Sequence, residues 1–265
     1  MLTATQKHQF ETFGFLHLKN LIPHDEMQHY VNAFDDTMTK ANGGVPWNCA
    51  PKNHFVAPFF HHNPGVYHQL LDQEILNEVV EDLLGEDYVF WVAEGQHRYG
   101  GSGWHHDSLS PETQTHMKVV FFLDAVRADT GCLRVIPCSH FPPMRDLMDK
   151  WYEVNGNTVV SQATESDTLP WSAAIALESE PGDAVIFNVK IHHAAVGDEA
   201  DRRAIYINYV QKARTPDEED YFVKHHDYDH PYYTPELFED ATPKRMRMLS
   251  YLKNLYDDLG EKPPC

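Results

Sequence analysis

Two residues that can bind a metal ion stand two positions apart in the stretch Trp104-His105-His106-Asp107. The stretch resembles a strand end, and in an extended strand residues i and i+2 point to the same face. His105 and Asp107 are therefore expected to converge on one centre while His106 points away. An imidazole beside a carboxylate supplies two of the three ligands of the 2-His-1-carboxylate triad, which holds non-haem Fe(II) and leaves coordination positions open. Because a chain with 18 histidines can contain this spacing by chance, the triad needs further support.

That support is a second histidine and a cationic anchor further along the chain. Residues 182–187 and 202–209 are rich in β-branched and aromatic side chains, which predicts two strands joined by a short loop near Gly197-Asp198. The pair His192-His193 follows the first run, and two arginines begin the second. A histidine at the end of one strand and an arginine at the start of its neighbour are expected to lie close together.

Three stretches, in this order along the chain, resemble the phytanoyl-CoA dioxygenase family of Fe(II)/2-oxoglutarate oxygenases. They are residues 104–107, 131–140 and 182–209, and residues 10–16 are similar to the opening of that family. The resemblance extends over residues 5–212. It implies a double-stranded β-helix core, which is a cupin-like jelly roll, with Fe(II) as the metal, 2-oxoglutarate as the cosubstrate and O2 as the oxidant.

The resemblance assigns the metal ligands to His105, Asp107 and His193. Because His192 immediately precedes His193, it stays an alternative for the third ligand. Relatives that halogenate typically carry a small residue in place of the carboxylate, and this opens a site for halide. The presence of Asp107 therefore favours hydroxylation.

The distal carboxylate of 2-oxoglutarate needs a cationic partner, and a guanidinium group binds a carboxylate through two parallel hydrogen bonds. Matching the family pattern puts this anchor at Arg202, with Arg203 as the alternative. The family often has a hydroxyl residue two positions after the second histidine, but this chain has Ala195 there. The second hydrogen bond to the cosubstrate is left unassigned, with Gln96 and Lys118 as the candidates.

The stretch 131–140 is similar to the family element Gly-x-Leu-x-x-x-Pro-Gly-Ser-His, and we expect it to have a structural role as a strand followed by a proline-set turn. Cys138 replaces the usual glycine, so the turn is expected to differ. His140 is expected to be a structural histidine. Cys132 and Cys138 are not predicted to bind zinc, because no second cysteine pair stands at ligand spacing.

Helical patterns dominate the first third of the chain. Thr3 and Gln6 have the spacing of a capping box, and apolar residues recur at helical intervals over residues 25–40 and 71–84. Gly85 is suited to end the last of these helices. The apolar stripes predict contacts with the core of a sheet.

Short runs rich in β-branched and aromatic residues follow at 89–93, 117–123, 133–136, 184–187 and 205–210. Helices followed by many short strands predict a mainly β fold with flanking α-helices. Residues 243–259 return to helical spacing.

At this length one domain with a full core is expected. We predict a single domain over residues 1–265, with a helical part at 1–86, a jelly-roll core at 87–212 and a helical extension at 213–265.

The composition of the chain limits the classes of partner that it is expected to bind. The 40 acidic and 21 basic residues give a net charge of −19, which disfavours nucleic acid because its phosphates require a positive surface. The chain has no apolar stretch of membrane-spanning length, and residues 1–9 lack the features of a secretory signal. Its four cysteines are too few and too irregular for a disulfide framework, which favours a reducing cytoplasm. A small-molecule substrate is expected, while the choice between monomer and homodimer stays open.

The predicted function is hydroxylation of an aliphatic C–H bond of a small organic metabolite, with release of succinate and CO2. Desaturation or ring formation in natural-product biosynthesis needs the same residues and stays an alternative. A zinc or manganese hydrolase, or a metal-binding jelly roll without oxidative chemistry, would not need an arginine at position 202. A serine hydrolase built on Ser108 lacks the surrounding nucleophile-elbow pattern.

The substrate pocket is the least constrained feature of the sequence. The irregular segment 43–64 is typical of a binding loop or of a loop held by its own aromatic side chains, and His61-His62 within it are expected to lie off the metal. Six aromatic residues are suited either to an apolar pocket or to the core: Trp47, Phe59, Phe60, Trp91, Tyr99 and Trp104.

Overall fold

The computed structural model describes residues 1–47, 54–107, 110–155, 173–195, 201–226 and 233–259. Its helices are α1 (Ala4–Phe13), α2 (His24–Ala41), α3 (Pro64–Leu71), α4 (Glu74–Leu84), α5 (Met144–Asn155), α6 (Pro216–His225) and α7 (Pro243–Leu259). Its strands are β1 (Phe15–Leu18), β2 (His54–Pro58), β3 (Val89–Tyr99), β4 (Ser102–His105), β5 (His116–Phe122), β6 (Leu133–Val135), β7 (Ile175–Leu177), β8 (Ala184–Asn188), β9 (His193–Ala195) and β10 (Asp201–Val210).

The strands form two antiparallel sheets. The larger has the order β1-β8-β5-β10-β3-β2, and the smaller has the order β4-β9-β6-β7. Between them lies an apolar cluster to which both sheets contribute, for example Val120 and Phe187 from the larger sheet and Leu133 from the smaller. The fold is mainly β with flanking helices around a jelly-roll core, as predicted.

The other face of the large sheet is covered by helices. Its apolar side chains form one cluster with residues of α2, α4 and α7, including Phe34, Leu76 and Leu249, all of which are fully buried. Burying a Leu or Phe side chain contributes about 1.5–3 kcal/mol each. The helices therefore hold the large sheet in place and leave its inner face to the site.

Two of the helix predictions are confirmed, and one is wrong in its extent. The Thr3–Gln6 capping box is present at the start of α1, and Gly85 ends α4 with a positive φ of 89°. The single helix predicted over residues 71–84 is instead two helices, because Leu71 ends α3 and Glu74 begins α4.

Most of the segment 43–64 has ordered structure where it is described. It contains β2, which pairs with β3, and a 3-10 turn at Phe60–His62. Phe59 is fully buried beside Tyr67, with ring centroids 4.5 Å apart. The described part of the segment is therefore an edge strand anchored in the core, while residues 48–53 lie outside the described ranges.

The turn after β6 contains a residue in the left-handed region at the position where the family has glycine. Cys138 has a φ of 65°, and its N–H donates a hydrogen bond to the Phe13 carbonyl at 3.0 Å. The next residue, Ser139, accepts a hydrogen bond on Oγ from the backbone N–H of His192 at 2.8 Å. The turn supports the start of β9.

Across the described ranges, none of the helices combines the length and the apolarity that crossing a membrane requires.

Candidate active site

Two neighbouring strands of the small sheet bring the first and last residues of the predicted triad together. In the antiparallel pair β4–β9, His105 lies opposite His193. Asp107 follows β4, and its backbone N–H donates a hydrogen bond to the Val189 carbonyl at 2.9 Å. This bond fixes the chain just beyond the strand end, so that the Asp107 side chain turns to the same face as the two histidines.

The ligand atoms of His105, Asp107 and His193 all lie within 4.8 Å of one another. Asp107 Oδ1 is 3.7 Å from Nε2 of His105, and Oδ2 is 3.6 Å from Nε2 of His193. A metal ion binds nitrogen and oxygen ligands at about 2.0–2.2 Å, so donors that share one ion lie within about 4 Å of each other. The three side chains therefore fit a mononuclear Fe(II) site.

Backbone carbonyl groups fix the orientation of both imidazoles. Nδ1–H of His105 donates to the Gly103 carbonyl at 2.7 Å, and Nδ1–H of His193 donates to the Ile191 carbonyl at 3.0 Å. Because a carbonyl can only accept, the Nδ1 atoms carry the protons and the Nε2 lone pairs point to the centre. This is the tautomer that metal binding through Nε2 requires.

The charges of the triad also suit a cation. Burial alone would raise the pKa of Asp107, but the Lys118 ammonium group holds the pKa of this carboxyl well below its usual range. Lys118 Nζ lies 3.0 Å from Asp107 Oδ2. Burial lowers the pKa of His193 to about 4. The group is thus an ionised carboxylate with a neutral imidazole, which are the protonation states of metal ligands.

The other histidines considered from the sequence lie elsewhere. His192 points to the opposite face of the strand pair, where its ring is 5.3 Å from that of His106. His61 and His62 stack on each other in the 3-10 turn with ring centroids 4.0 Å apart. His140 packs on Gly14, where an added Cβ atom would lie 2.5 Å from His140 Nδ1. None of these four joins the triad.

A small cavity of about 50 Å³ opens beside the triad. It is lined by Gln96, Arg98, Ser102, His105, Asp107, Lys118, Phe122, Leu133, His193, Ala195, Arg202 and Tyr206. All four predicted metal and anchor residues and both further cosubstrate candidates therefore share one cavity wall.

The two arginines at the start of β10 have opposite orientations. Arg202 is 4% exposed, lines the cavity and donates a hydrogen bond from Nη1 to the Gly100 carbonyl at 2.5 Å. Arg203 forms ion pairs outside the cavity with Asp124 at 2.7 Å and with Asp35 at 2.9 Å. Strand alternation predicts this difference, and it favours Arg202 as the anchor.

Arg202 is packed closely against Gly131, which has a φ of 90°. A Cβ atom built on this glycine would lie 2.6 Å from Arg202 Nη1. Any larger residue at position 131 would displace the guanidinium group and would also strain the backbone. This is a physical reason for the glycine in the stretch 131–140.

Gln96 and Arg98 are neighbours on the inner face of β3. Arg98 Nε donates a hydrogen bond to Gln96 Oε1 at 2.8 Å, and both side chains line the cavity. Sequence reasoning identified Gln96 but missed Arg98, although strand alternation from Gln96 predicts that Arg98 shares its face.

Ser102 was also missed. It is the cross-strand partner of Ala195, and its Oγ accepts a hydrogen bond from the Ala195 N–H at 3.0 Å. A hydroxyl group therefore lines the cavity next to the position where the family often has one. Only the pairing of β4 with β9 reveals this, because the two positions are far apart in the sequence.

None of the six aromatic residues considered from the sequence, Tyr99 included, lines this cavity, whose aromatic residues are Phe122 and Tyr206. Phe59 and Phe60 are buried in the helix-covered cluster, and Trp91 packs against Tyr221 and Phe222. Trp104 lies in a separate apolar cluster beneath α5. Trp47 stacks on Phe55 with centroids 5.2 Å apart. The interpretation of these residues as an apolar substrate pocket is therefore not supported, since the lining is mostly polar and cationic.

A larger cavity of about 520 Å³ lies between α6 and α7, lined by charged residues such as Asp87, Lys212 and Arg247. Among the described residues it holds no group of metal-binding side chains.

The amino-acid sequence matches a known family and a characterised enzyme. The model of the family described as "Phytanoyl-CoA dioxygenase (PhyH)" matches residues 10–204. A 2-aminoethylphosphonate dioxygenase from "Uncultured bacterium HF130_AEPn_1" is 25% identical over 242 residues, covering 83% of this chain and 86% of that protein.

Solved structures share the fold at low sequence identity. EvdO2 from Micromonospora carbonacea var. aurantiaca, complexed with 2-oxoglutarate, superposes with a TM-score of 0.58 at 18% identity, covering 82% of this chain and 94% of that one. HygX from Streptomyces hygroscopicus, with nickel and 2-oxoglutarate bound, superposes with a TM-score of 0.58 at 17% identity, covering 80% of this chain and 88% of that one. SnoK, an α-ketoglutarate-dependent carbocyclase from nogalamycin biosynthesis, superposes with a TM-score of 0.59 at 15% identity, covering 79% of this chain and 84% of that one.

Proposed function

The chain belongs to the phytanoyl-CoA dioxygenase family, and from this premise we propose that it hydroxylates an aliphatic C–H bond of a small organic metabolite. It is a 2-oxoglutarate-dependent dioxygenase, with Fe(II) as the metal and O2 as the oxidant. The observation that carries the proposal is the triad His105, Asp107 and His193 in the same cavity wall as Arg202. One oxygen atom of O2 enters the product alcohol and the other enters succinate, with loss of CO2.

The residues of the site have separate roles in binding the metal and the cosubstrate. His105, Asp107 and His193 would hold Fe(II) and leave other coordination positions open. When bound, Fe(II) supplies the activation of O2 that is coupled to decarboxylation of 2-oxoglutarate. Arg202 would bind the distal carboxylate of the cosubstrate, because a buried guanidinium group pairs strongly with a carboxylate. The backbone carbonyls of Gly103 and Ile191 keep the two imidazoles oriented.

The cavity wall also supports a substrate that carries a negative charge. Arg98, Lys118 and Arg202 line it, whereas the chain as a whole has a net charge of −19. If Arg202 serves the cosubstrate, Arg98 is left beside the substrate position. The similarity to a 2-aminoethylphosphonate dioxygenase makes a small organophosphonate the first compound class to test. We further propose that the enzyme acts in a reducing cytoplasm and does not bind nucleic acid.

Desaturation or ring closure remains the second candidate reaction, since it uses the same residues. SnoK, which shares the fold, is a carbocyclase. The mass of the product separates the reactions, because hydroxylation adds one oxygen atom whereas desaturation and ring closure remove two hydrogen atoms.

The test measures succinate release by the full chain. The protein is first loaded with Fe(II) and 2-oxoglutarate without oxygen, and it is then exposed to air in the presence of small phosphonates or other metabolites. Asp107→Ala and His193→Ala should reduce substrate-dependent succinate release to the level without enzyme, because each removes a metal ligand. If either variant releases succinate as fast as the wild type, the ligand assignment is wrong.

Two neighbouring arginines provide a matched pair for the cosubstrate site. Arg202→Gln should raise the KM for 2-oxoglutarate by at least about tenfold, since hydrogen bonds between charged groups contribute about 1.5–3 kcal/mol. Arg203→Gln breaks only the ion pairs with Asp124 and Asp35 and should leave that KM unchanged. The reverse result would move the anchor to Arg203.

A further inference from the structure

A second group of metal-binding side chains lies on the outer face of the strands that carry the triad. The strands β4 and β9 are antiparallel, with His105 opposite His193. His106 directly follows β4, and His192 directly precedes β9. Side chains alternate between the faces of a strand. His106 and His192 therefore point away from the cavity, on the same side as Trp104 and Ala194.

Helix α5 covers this outer face. Met148 of α5 is fully buried in a cluster with Trp104, Ile136 and Ala194. The next residue on the helix, Asp149, extends from the edge of the cluster towards the two histidines. The apolar contact of Met148 thus determines where the Asp149 carboxylate lies.

The ligand atoms of His106, Asp149 and His192 all lie within 4.8 Å of one another. Nε2 of His192 is 3.8 Å from Asp149 Oδ1, and the two imidazole rings are 5.3 Å apart at an angle of 83°. The spread of the donors matches that of the inner triad. The donor set is also the same, with two imidazoles and one carboxylate.

We propose that His106, Asp149 and His192 bind a second divalent metal ion, of the zinc class, on the outer face of the β4–β9 pair. Imidazole and carboxylate ligands suit Zn(II), and three protein ligands leave a fourth position for water. The Asp149 side chain is 51% exposed while that of His192 is 0% exposed. An ion would enter from the solvent beside Asp149 and meet a buried imidazole.

One ring nitrogen of the cluster is consistent with a bound ion that would complete its contacts. Nδ1 of His106 is buried, and no residue in the described part of the chain forms a hydrogen bond with it. Most buried polar atoms have a partner, so a buried nitrogen without one calls for an explanation. A metal ion bound at Nδ1 would supply this partner and would leave the proton on Nε2.

The backbone around His192 is held on both sides, which favours a preformed site. Its N–H donates to Ser139 Oγ at 2.8 Å, and its carbonyl accepts from the Ile136 N–H at 2.9 Å. An ion at this position would connect α5 to the strands that carry the inner triad. Because a metal that binds only the folded chain stabilises it, the ion would raise the stability of this part of the fold. The site is independent of the proposed reaction.

The test counts metal ions in the full chain. The protein is stripped with a chelator, incubated with Zn(II), passed through gel filtration and analysed for zinc and protein. The wild type should retain two equivalents of zinc. Asp149→Ala and His106→Ala should each retain one, and the thermal stabilisation by zinc should decrease.

Two further variants control the assignment. Asp146→Ala removes an exposed carboxylate of the same helix, and it should still retain two equivalents. A double variant of the inner triad, His105→Ala with Asp107→Ala, should retain one equivalent, which addition of Asp149→Ala should remove.

Retention of only one equivalent by the wild type would overturn the proposal. So would retention of two equivalents by both Asp149→Ala and His106→Ala. Because Asp149 is half exposed, its replacement by alanine does not endanger the fold, and it decides the result even if His106→Ala fails to fold.

Discussion

Ser102 carries the hydroxyl group that is absent at Ala195. The family often has a hydroxyl residue two positions after the second histidine, and the structure has one across the strand pair instead, at Ser102. The Ser102 oxygen already accepts a hydrogen bond from the Ala195 N–H. Its own proton is thus the group that can be donated to a carboxylate of 2-oxoglutarate, beside Arg202.

Ser102→Ala should raise the KM for 2-oxoglutarate by about tenfold with a smaller change in kcat, because a hydrogen bond to a charged group contributes about 1.5–3 kcal/mol. Steady-state kinetics with varied 2-oxoglutarate measures this. Adding Ala195→Ser to the variant should restore most of the affinity, since it returns a hydroxyl to the adjacent position. An unchanged KM in Ser102→Ala would show that the hydroxyl only supports the strand pair.

Local spacing was enough to predict His105 and Asp107 as ligands, because strand alternation places both on one face. The choice of His193 and of Arg202 over their neighbours came from the family resemblance, while alternation predicts only that Arg202 and Arg203 point to opposite faces. Ser102 could not be found in this way, since its role depends on which residue of a distant strand lies opposite to it. Strand register is determined by packing and turns along the whole sheet, which a short motif does not encode.

At the scale of elements, the turn at Cys138 connects the backbone geometry to the site. Cys138 is held at a φ of 65°, where a side chain is unfavourable by about 1–2 kcal/mol. The turn nevertheless keeps its shape, because its ends are fixed to α1 through Phe13 and to β9 through Ser139. The surrounding contacts overcome the local preference.

Cys138→Gly should therefore stabilise the protein. We expect the free energy of unfolding to rise by about 0.5–1 kcal/mol, since relief of the strained conformation exceeds the added flexibility of the unfolded chain. Denaturant titration measures it. Cys138→Ala keeps the Cβ atom and should give no such gain, so equal effects of the two variants would attribute the change to the thiol.

Long periodic elements were predictable, and the short strands were predictable only in part. The helices α2 and α7 and the strands β5, β8 and β10 correspond to patterns in the sequence, as do the short strand β6 and the end of β4. The strands β7 and β9 have three residues each, which is too few for a periodic signal. Tertiary pairing creates these two strands, and β9 carries His193 of the inner triad.

At the scale of the whole molecule, the C-terminal helix belongs to the main core. Leu249 and Leu252 of α7 are fully buried in the same cluster as β3 and the N-terminal helices. Arg245 of α7 forms an ion pair with Asp72 at the end of α3, at 2.6 Å. We propose that the chain unfolds as a single cooperative unit and that the helical extension is not a separate domain.

Leu252→Ala should lower the free energy of unfolding by about 2–5 kcal/mol, the usual cost of emptying a buried leucine site. Far-ultraviolet circular dichroism and tryptophan fluorescence should still give one coincident transition. Met246→Ala is the control on the same helix, because Met246 is 39% exposed, and it should change stability little. Two separate transitions would indicate that the extension folds on its own.

The histidine pairs at the end of β4 (His105 and His106) and at the start of β9 (His192 and His193) affect how preparations of this protein should be judged. If both strands slipped by one residue, His106 and His192 would replace His105 and His193 at the inner face, while Asp107 would turn outward. Such a misfolded chain would keep two imidazoles at the cavity and would still bind transition metals weakly. Metal content is therefore a poor quality criterion for this enzyme, and a purification should be followed by turnover per molecule.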